Sequence, residues 1–189
     1  MIKLAIFVSG SGTNCENIIR YFQDSETIRP AVVISNREDA YALVRASRLG
    51  VPTEVVKKDA FNDETVVLPL LERYGVDYII LAGFLLMVPS FLISRYDHRI
   101  INIHPALLPK YGGKGMYGHH VHEAVKAAGE METGITIHYV NEVCDGGDVI
   151  HQYATPLSPD DSVEDIAQKI HMLEQAHFPH TIEEAITLS

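Results

Sequence analysis

The sequence predicts a doubly wound α/β fold. It is expected as a mostly parallel sheet with an antiparallel strand pair in its C-terminal half and a long closing helix. Three observations carry that expectation. Short runs rich in Ile, Val and Leu alternate with longer stretches of helical period through the first hundred or so residues, and such alternation implies right-handed crossovers between parallel strands. Two later alternating runs flank a turn-like "NEVCDGG", which reads as an antiparallel pair. After them "SPDDSVEDIAQKIHMLEQAHF" opens on cap residues and runs amphipathically to Pro179, the pattern of one long helix.

Taken in order, the strands fall at 3–9 ("KLAIFVS"), 31–35 ("AVVIS"), 53–57 ("TEVVK"), 77–83 ("DYIILAG") and 99–104 ("RIINIH"). Each is short, apolar and suited to burial. Helices at 14–23, 39–49, 62–74 and 89–95 lie between them, with apolar residues every three or four positions. Pro69 sits inside the third, so that helix is expected to kink or begin late. The later half gives a glycine-rich loop into a helix at 120–128, strands at 134–140 and 148–155, and the closing helix at 162–180. There is no internal repeat, low-complexity tract or linker. Residues 1–189 are expected as a single domain with halves of about 1–100 and about 100–189.

Composition narrows the function classes. The chain is 47% hydrophobic and 21% charged, ordinary for an α/β protein, and carries a formal net charge of −10. No run of Lys or Arg is longer than Lys57-Lys58, which argues against a nucleic-acid surface and leaves room for a small phosphorylated ligand. Cys15 and Cys144 form no paired spacing and read as isolated thiols in a reducing compartment. The opening "IKLAIFV" has neither the length of a membrane span nor a cleavage-site pattern. The expected location is cytoplasmic, with no membrane partner.

Three stretches carry candidate chemistry. "SGSGTN" at 9–14 joins the first strand to the first helix. The N–H groups of Gly12, Thr13 and Asn14 at a helix N-terminus suit an anion. The third glycine of a dinucleotide fingerprint would fall at Cys15, and no Gly-Lys-Ser/Thr follows. A single phosphate fits, as does a plain strand–helix turn that binds nothing.

Asn102 and His104 share one face of the strand "RIINIH" and point out of its C-terminal end, where ligands gather in open α/β sheets. An amide beside an imidazole can stabilise an oxyanion and move a proton. Asp145 in "VCDGGD" could orient that imidazole and favour its charged form. A structural histidine and an ordinary hairpin turn account for the same residues. Adjacent and i+2 histidines, as His119 with His120 and His120 with His122, do not share a helix face, and no Cys or carboxylate stands at zinc-motif spacing. They are expected as exposed loop histidines, His122 packing at the helix start, and no metal is expected.

"FVSGSGTN", "LAGFLLMV", "INIHPALLPKY", "GITIHYV" and "DGG" occur in the order and approximate spacing of the folate-dependent formyltransferases, and nearly the whole chain resembles that family. The resemblance implies the formyltransferase fold, with a phosphate-binding N-terminal half and a folate-binding, catalytic C-terminal half. It implies 10-formyltetrahydrofolate as co-substrate, the amine of glycinamide ribonucleotide as acceptor, and purine biosynthesis as the setting. It places Asn102, His104 and Asp145 as the catalytic trio, Gly12, Thr13 and Asn14 on the acceptor phosphate, and Glu174 on its sugar. Leu85, Leu86, Met87, Val88, Val140, Asn102 and Asp145 fall at folate-side positions, and Lys110 near the mouth.

Two stretches depart from the family. The loop 112–120 is longer than in its relatives, and Asn62-Asp63-Glu64 stand where many carry an arginine. Formylation of another amine and hydrolysis of formyl-folate remain alternatives. Methionyl-tRNA formylation fits an acidic chain poorly, and a non-catalytic folate- or nucleotide-binding protein would not need the trio. A monomer or weak homodimer is expected.

Overall fold

Five strands, β1 (Ile2–Val8), β2 (Ile28–Ser35), β3 (Thr53–Val55), β4 (Tyr78–Leu81) and β5 (Ile100–His104), pair in parallel. Two more, β6 (Glu132–Tyr139) and β7 (Val149–Pro156), pair antiparallel. The hydrogen-bonded order is β3-β2-β1-β4-β5-β6-β7. The fold class read from the sequence is therefore the one observed. The structure, a computed structural model, describes residues 1–188. The chain divides into one unit of Met1–Asn102 and a second from Ile103 onward.

In the first unit, helices α1 (Thr13–Tyr21), α2 (Tyr41–Arg48), α3 (Lys58–Phe61), α4 (Glu64–Tyr74) and α5 (Ser90–Arg95) accompany the parallel strands. Leu4 through Val8 are wholly buried, as a central parallel strand covered on both faces requires. Phe7, Phe61 and Phe84 pack with ring centroids 5.6, 5.3 and 5.0 Å apart. Cys15 is also wholly buried, and burial pushes its thiol up to about 12, so it behaves as a small apolar core residue.

The helix expected at 62–74 is α4, and the short α3 ahead of it was not anticipated. The Asp63 carboxylate accepts the Thr65 N–H at 2.9 Å and caps a fresh start for α4, which ends on Gly75 at φ 64°. Pro69 lies within α4, whose turns are held in place by buried Val67 and Leu71.

The second unit holds β6, β7, α6 (His119–Ala127) and α7 (Val163–Thr187). Ala106, Val121, Val125, Leu157 and Ile166 form a buried cluster with Tyr111 and Met116 packed against it. The closing helix was expected to stop near Pro179, yet it runs on to Thr187. A helix-interior proline costs about 3 kcal/mol. Against that, α7 buries Phe178, Pro179, Ile182 and Ile186, each large side chain contributing about 1.5–3 kcal/mol, so burial wins. No helix among the described residues is long and apolar enough to cross a membrane.

Candidate active site

His104 ends β5 and is 4% exposed. Its position is fixed from the segment that follows it. The buried Thr136 hydroxyl on β6 donates to the Ala106 carbonyl at 2.7 Å and accepts the Leu108 N–H at 3.0 Å. Gln152 on β7 then donates to the Leu108 carbonyl at 2.9 Å. The turn after His104 is thereby held by both antiparallel strands.

The two nitrogens of His104 have separate partners. Nε2 lies 2.7 Å from the Tyr111 carbonyl. A carbonyl only accepts, so this nitrogen carries a hydrogen and donates it. Nδ1 faces Asp145 Oδ2 at 3.5 Å. A proton on Nδ1 makes that contact an ion pair, whereas without one two acceptors face each other. Nδ1 is therefore the nitrogen that Asp145 addresses.

Asp145 is aimed by its turn. It adopts φ 55°, a conformation that short polar side chains tolerate better than most. Asn141 accepts the Val143 N–H at 2.9 Å and donates to the Gly146 carbonyl at 3.2 Å, closing the turn on itself. Gly147 admits no side chain, because a Cβ there would lie 1.8 Å from the Tyr139 carbonyl oxygen. The Asp145 carboxylate is further fixed by the Gly113 N–H at 2.9 Å.

A second histidine, His138 on β6, shares this carboxylate. It is 2% exposed, and its Nε2 lies 3.8 Å from Asp145 Oδ1. Its Nδ1 donates to the Tyr139 carbonyl at 2.8 Å. Burial first, and then the nearby His104, hold its pKa below the usual imidazole value; the Tyr139 carbonyl and Asp145 oppose this only in part. Burial thus favours the neutral form of the His138 ring beside Asp145. Sequence reading missed it, although a histidine in an otherwise apolar strand just ahead of the Asp-Gly-Gly turn was the available signal.

The other expected residues fall on separate segments. Asn102 is two positions before His104 on the same strand and is half-buried. Gly12, at φ 78°, caps α1, and Thr13 and Asn14 are its first residues. Leu85, Leu86, Met87 and Val88 follow β4 in irregular chain, with Leu85 and Met87 exposed. This segment and the glycine turn meet at buried Ser9. Its N–H donates to the Gly83 carbonyl at 3.1 Å, and its hydroxyl accepts the Leu85 N–H at 3.0 Å and donates to Asn36 at 2.6 Å. Val140 directly follows β6, and Glu174 is half-buried on α7. Lys110 is exposed and paired with Glu130 at 3.0 Å.

The histidine cluster is helical rather than looped, a correction to the sequence reading. Gly118 ends the glycine-rich segment, and His119 already belongs to the first turn of α6. His119 and His120 face Glu164 and Glu123 at 3.6 Å each, in exposed positions. His122 points inward as expected, 7% exposed.

The family model described as formyl transferase matches residues 2–182. The chain belongs to the formyl transferase family. Within it, the phosphoribosylglycinamide formyltransferase of Haemophilus influenzae is 35% identical over 187 residues, covering 96% of this chain and 86% of that protein. The chloroplastic phosphoribosylglycinamide formyltransferase of Arabidopsis thaliana is 38% identical over 175 residues, 89% of this chain; the match spans 60% of that longer protein. The crystal structure of phosphoribosylglycinamide formyltransferase from Anaplasma phagocytophilum superposes with a TM-score of 0.87 at 33% identity, covering 96% of this chain and 85% of that one.

Proposed function

We propose that this formyl transferase moves the formyl group of 10-formyltetrahydrofolate onto the amine of glycinamide ribonucleotide, a step of purine biosynthesis. The carrying observation is the buried His104–Asp145 pair closing β5, in a chain similar along its length to phosphoribosylglycinamide formyltransferases.

The amine attacks the formyl carbon, and the carbonyl electrons move onto oxygen. Asn102 donates a hydrogen bond to that oxyanion, stabilising charge that develops only along the reaction path. The oxyanion then collapses, the bond from carbon to the folate nitrogen breaks, and His104 Nδ1 gives its proton to the departing nitrogen. Asp145 pairs with the charged ring and orders a water that takes the proton lost by the attacking amine. One proton leaves the amine and one reaches the folate, so tetrahydrofolate and the formylated ribonucleotide are the products.

Gly12, Thr13 and Asn14 hold the acceptor phosphate and Glu174 its ribose. Leu85, Leu86, Met87, Val88 and Val140 line the pteridine side, where exposed Leu85 and Met87 offer apolar surface. The reaction is proposed to run in the cytoplasm, in a monomer or weak homodimer. No metal is required, so turnover should persist with a chelator present.

Incubation with 10-formyltetrahydrofolate, with and without glycinamide ribonucleotide, tests the assignment. Donor loss that requires the ribonucleotide supports it. Equal loss without the amine assigns a hydrolase instead.

A further inference from the structure

The glycine turn of the first unit is tied down in a way the motif alone does not disclose. Three consecutive carbonyls each have a donor. Gly10 accepts the Ala42 N–H at 3.1 Å, Ser11 accepts Arg45 Nε at 2.9 Å, and Gly12 accepts the Glu16 N–H at 2.9 Å. In a planar trans peptide the carbonyl and the following N–H point in opposite directions. Fixing the Ser11 and Gly12 carbonyls therefore turns the N–H groups of Gly12 and Thr13, two of the three residues assigned to the phosphate, away from those donors. Successive N–H groups directed to one side form an anion-binding concavity.

Two of the three ties come from α2, and only one of those is a side chain. Arg45 is held for the task. Its guanidinium lies 5.0 Å from the Tyr41 ring centroid and also pairs with Glu16. Glu16 is bonded by Arg20 as well, at 2.8 Å. Two guanidinium charges against one carboxylate leave a net positive charge beside the turn. Arg20 first and Arg45 second hold the Glu16 carboxyl below its usual range, so the carboxylate stays ionised. The backbone must also press closely on α2, since a Cβ on Gly12 would lie 2.4 Å from that of Ala42.

The geometry points to Arg45 as a positioning residue for acceptor specificity: it pins the Ser11 carbonyl so that the turn presents its N–H groups to the phosphate of the acceptor. This rests on the acceptor assigned above. Arg45 acts through the loop, so its loss falls on recognition of the phosphate and not on the chemical step.

Arg45→Met keeps most of the side-chain stem and removes the donor and the charge. The experiment compares KM and kcat for glycinamide ribonucleotide with those for its dephosphorylated riboside, alongside calorimetric binding of ribose 5-phosphate. A charge-assisted hydrogen bond of ordinary strength predicts a rise of about 10-fold or more in KM for the ribonucleotide and in Kd for ribose 5-phosphate. The riboside KM should stay within about 2-fold, the size of effect expected where the phosphate contributes nothing. Equal losses on both acceptors, or none on the ribonucleotide, would overturn the proposal, as would wild-type protein that fails to bind ribose 5-phosphate.

If Arg45→Met does not fold, Arg45→Lys is read in the same way. It keeps the charge but loses the guanidinium fork, and should show a smaller, still phosphate-specific weakening. Absence of formyl transfer by the wild type with ribose 5-phosphate binding intact would sink the activity assignment and leave the role of Arg45 standing.

Discussion

His104 holds a different relation through each ring nitrogen, and this sets what its neighbours can do. The Tyr111 carbonyl fixes the hydrogen on Nε2 and turns Nδ1 toward Asp145. Asp145→Asn keeps the size of the side chain but removes the negative charge that faces His104 Nδ1. Its kcat under saturating substrates is expected to fall about 100-fold or more, and Asn102→Ala should fall by a similar factor through loss of an oxyanion donor. A kcat within a few-fold of wild type for either would remove that residue from the chemistry. Asn102 and His104 could be read from the sequence because strand alternation puts both on one face ahead of a proline. Asp145 could be named from the sequence as a possible partner, but an ordinary hairpin turn explained it equally, and the contact itself was not legible. It depends on a left-handed residue in a turn held by Asn141, and no spacing rule encodes that contact. His138 was hidden for a related reason, since its histidine was absorbed into an apolar strand pattern.

At the scale of elements, α6 carries a feature that costs stability. His122 Nδ1 is buried and has no hydrogen-bond partner among the described residues, and burial followed by the nearby His119 lowers its pKa. Replacing this ring with Leu should stabilise the fold by about 1 kcal/mol at about pH 7.5, with a wider gain at about pH 5.5. Urea unfolding at both values measures this, and a gain that does not change with pH would contradict it. In α7 the Ser162–Asp165 capping box satisfies both chain directions at the helix start. Ser162→Ala should lower unfolding free energy by about 1 kcal/mol and leave kcat alone. The strands were well marked in the sequence because buried parallel strands are nearly continuous apolar runs. Helix ends were less legible. Glycines before His119 suggested loop where a helix begins, and Pro179 suggested an end where burial carries the helix onward.

For the molecule as a whole, buried histidines and paired carboxylates give stability the same dependence on pH. His122 and His138 have folded-state pKa values lowered chiefly by burial, so below an unfolded value of about 6.5 the unfolded chain binds more protons. Stability is present above that value and is lost as pH falls toward the folded values. Glu16, Glu130 and Asp161 are also lowered, chiefly by hydrogen bonds from Arg20, Lys110 and Lys169 respectively. Their contribution is present above about pH 4.5 and lost in more acid solution. The melting temperature should therefore fall from about pH 7.5 to about pH 5.5 and fall further below about pH 4.5. A flat or rising profile on the acid side would contradict this.

The rate of formylated ribonucleotide formation in His104→Ala decides whether formyl transfer to glycinamide ribonucleotide runs through His104, with exposed His120→Ala on α6 as the control. Folded His104→Ala should lose about 100-fold or more, and His120→Ala should keep a rate close to wild type. Comparable rates in His104→Ala and wild type would contradict that role of His104.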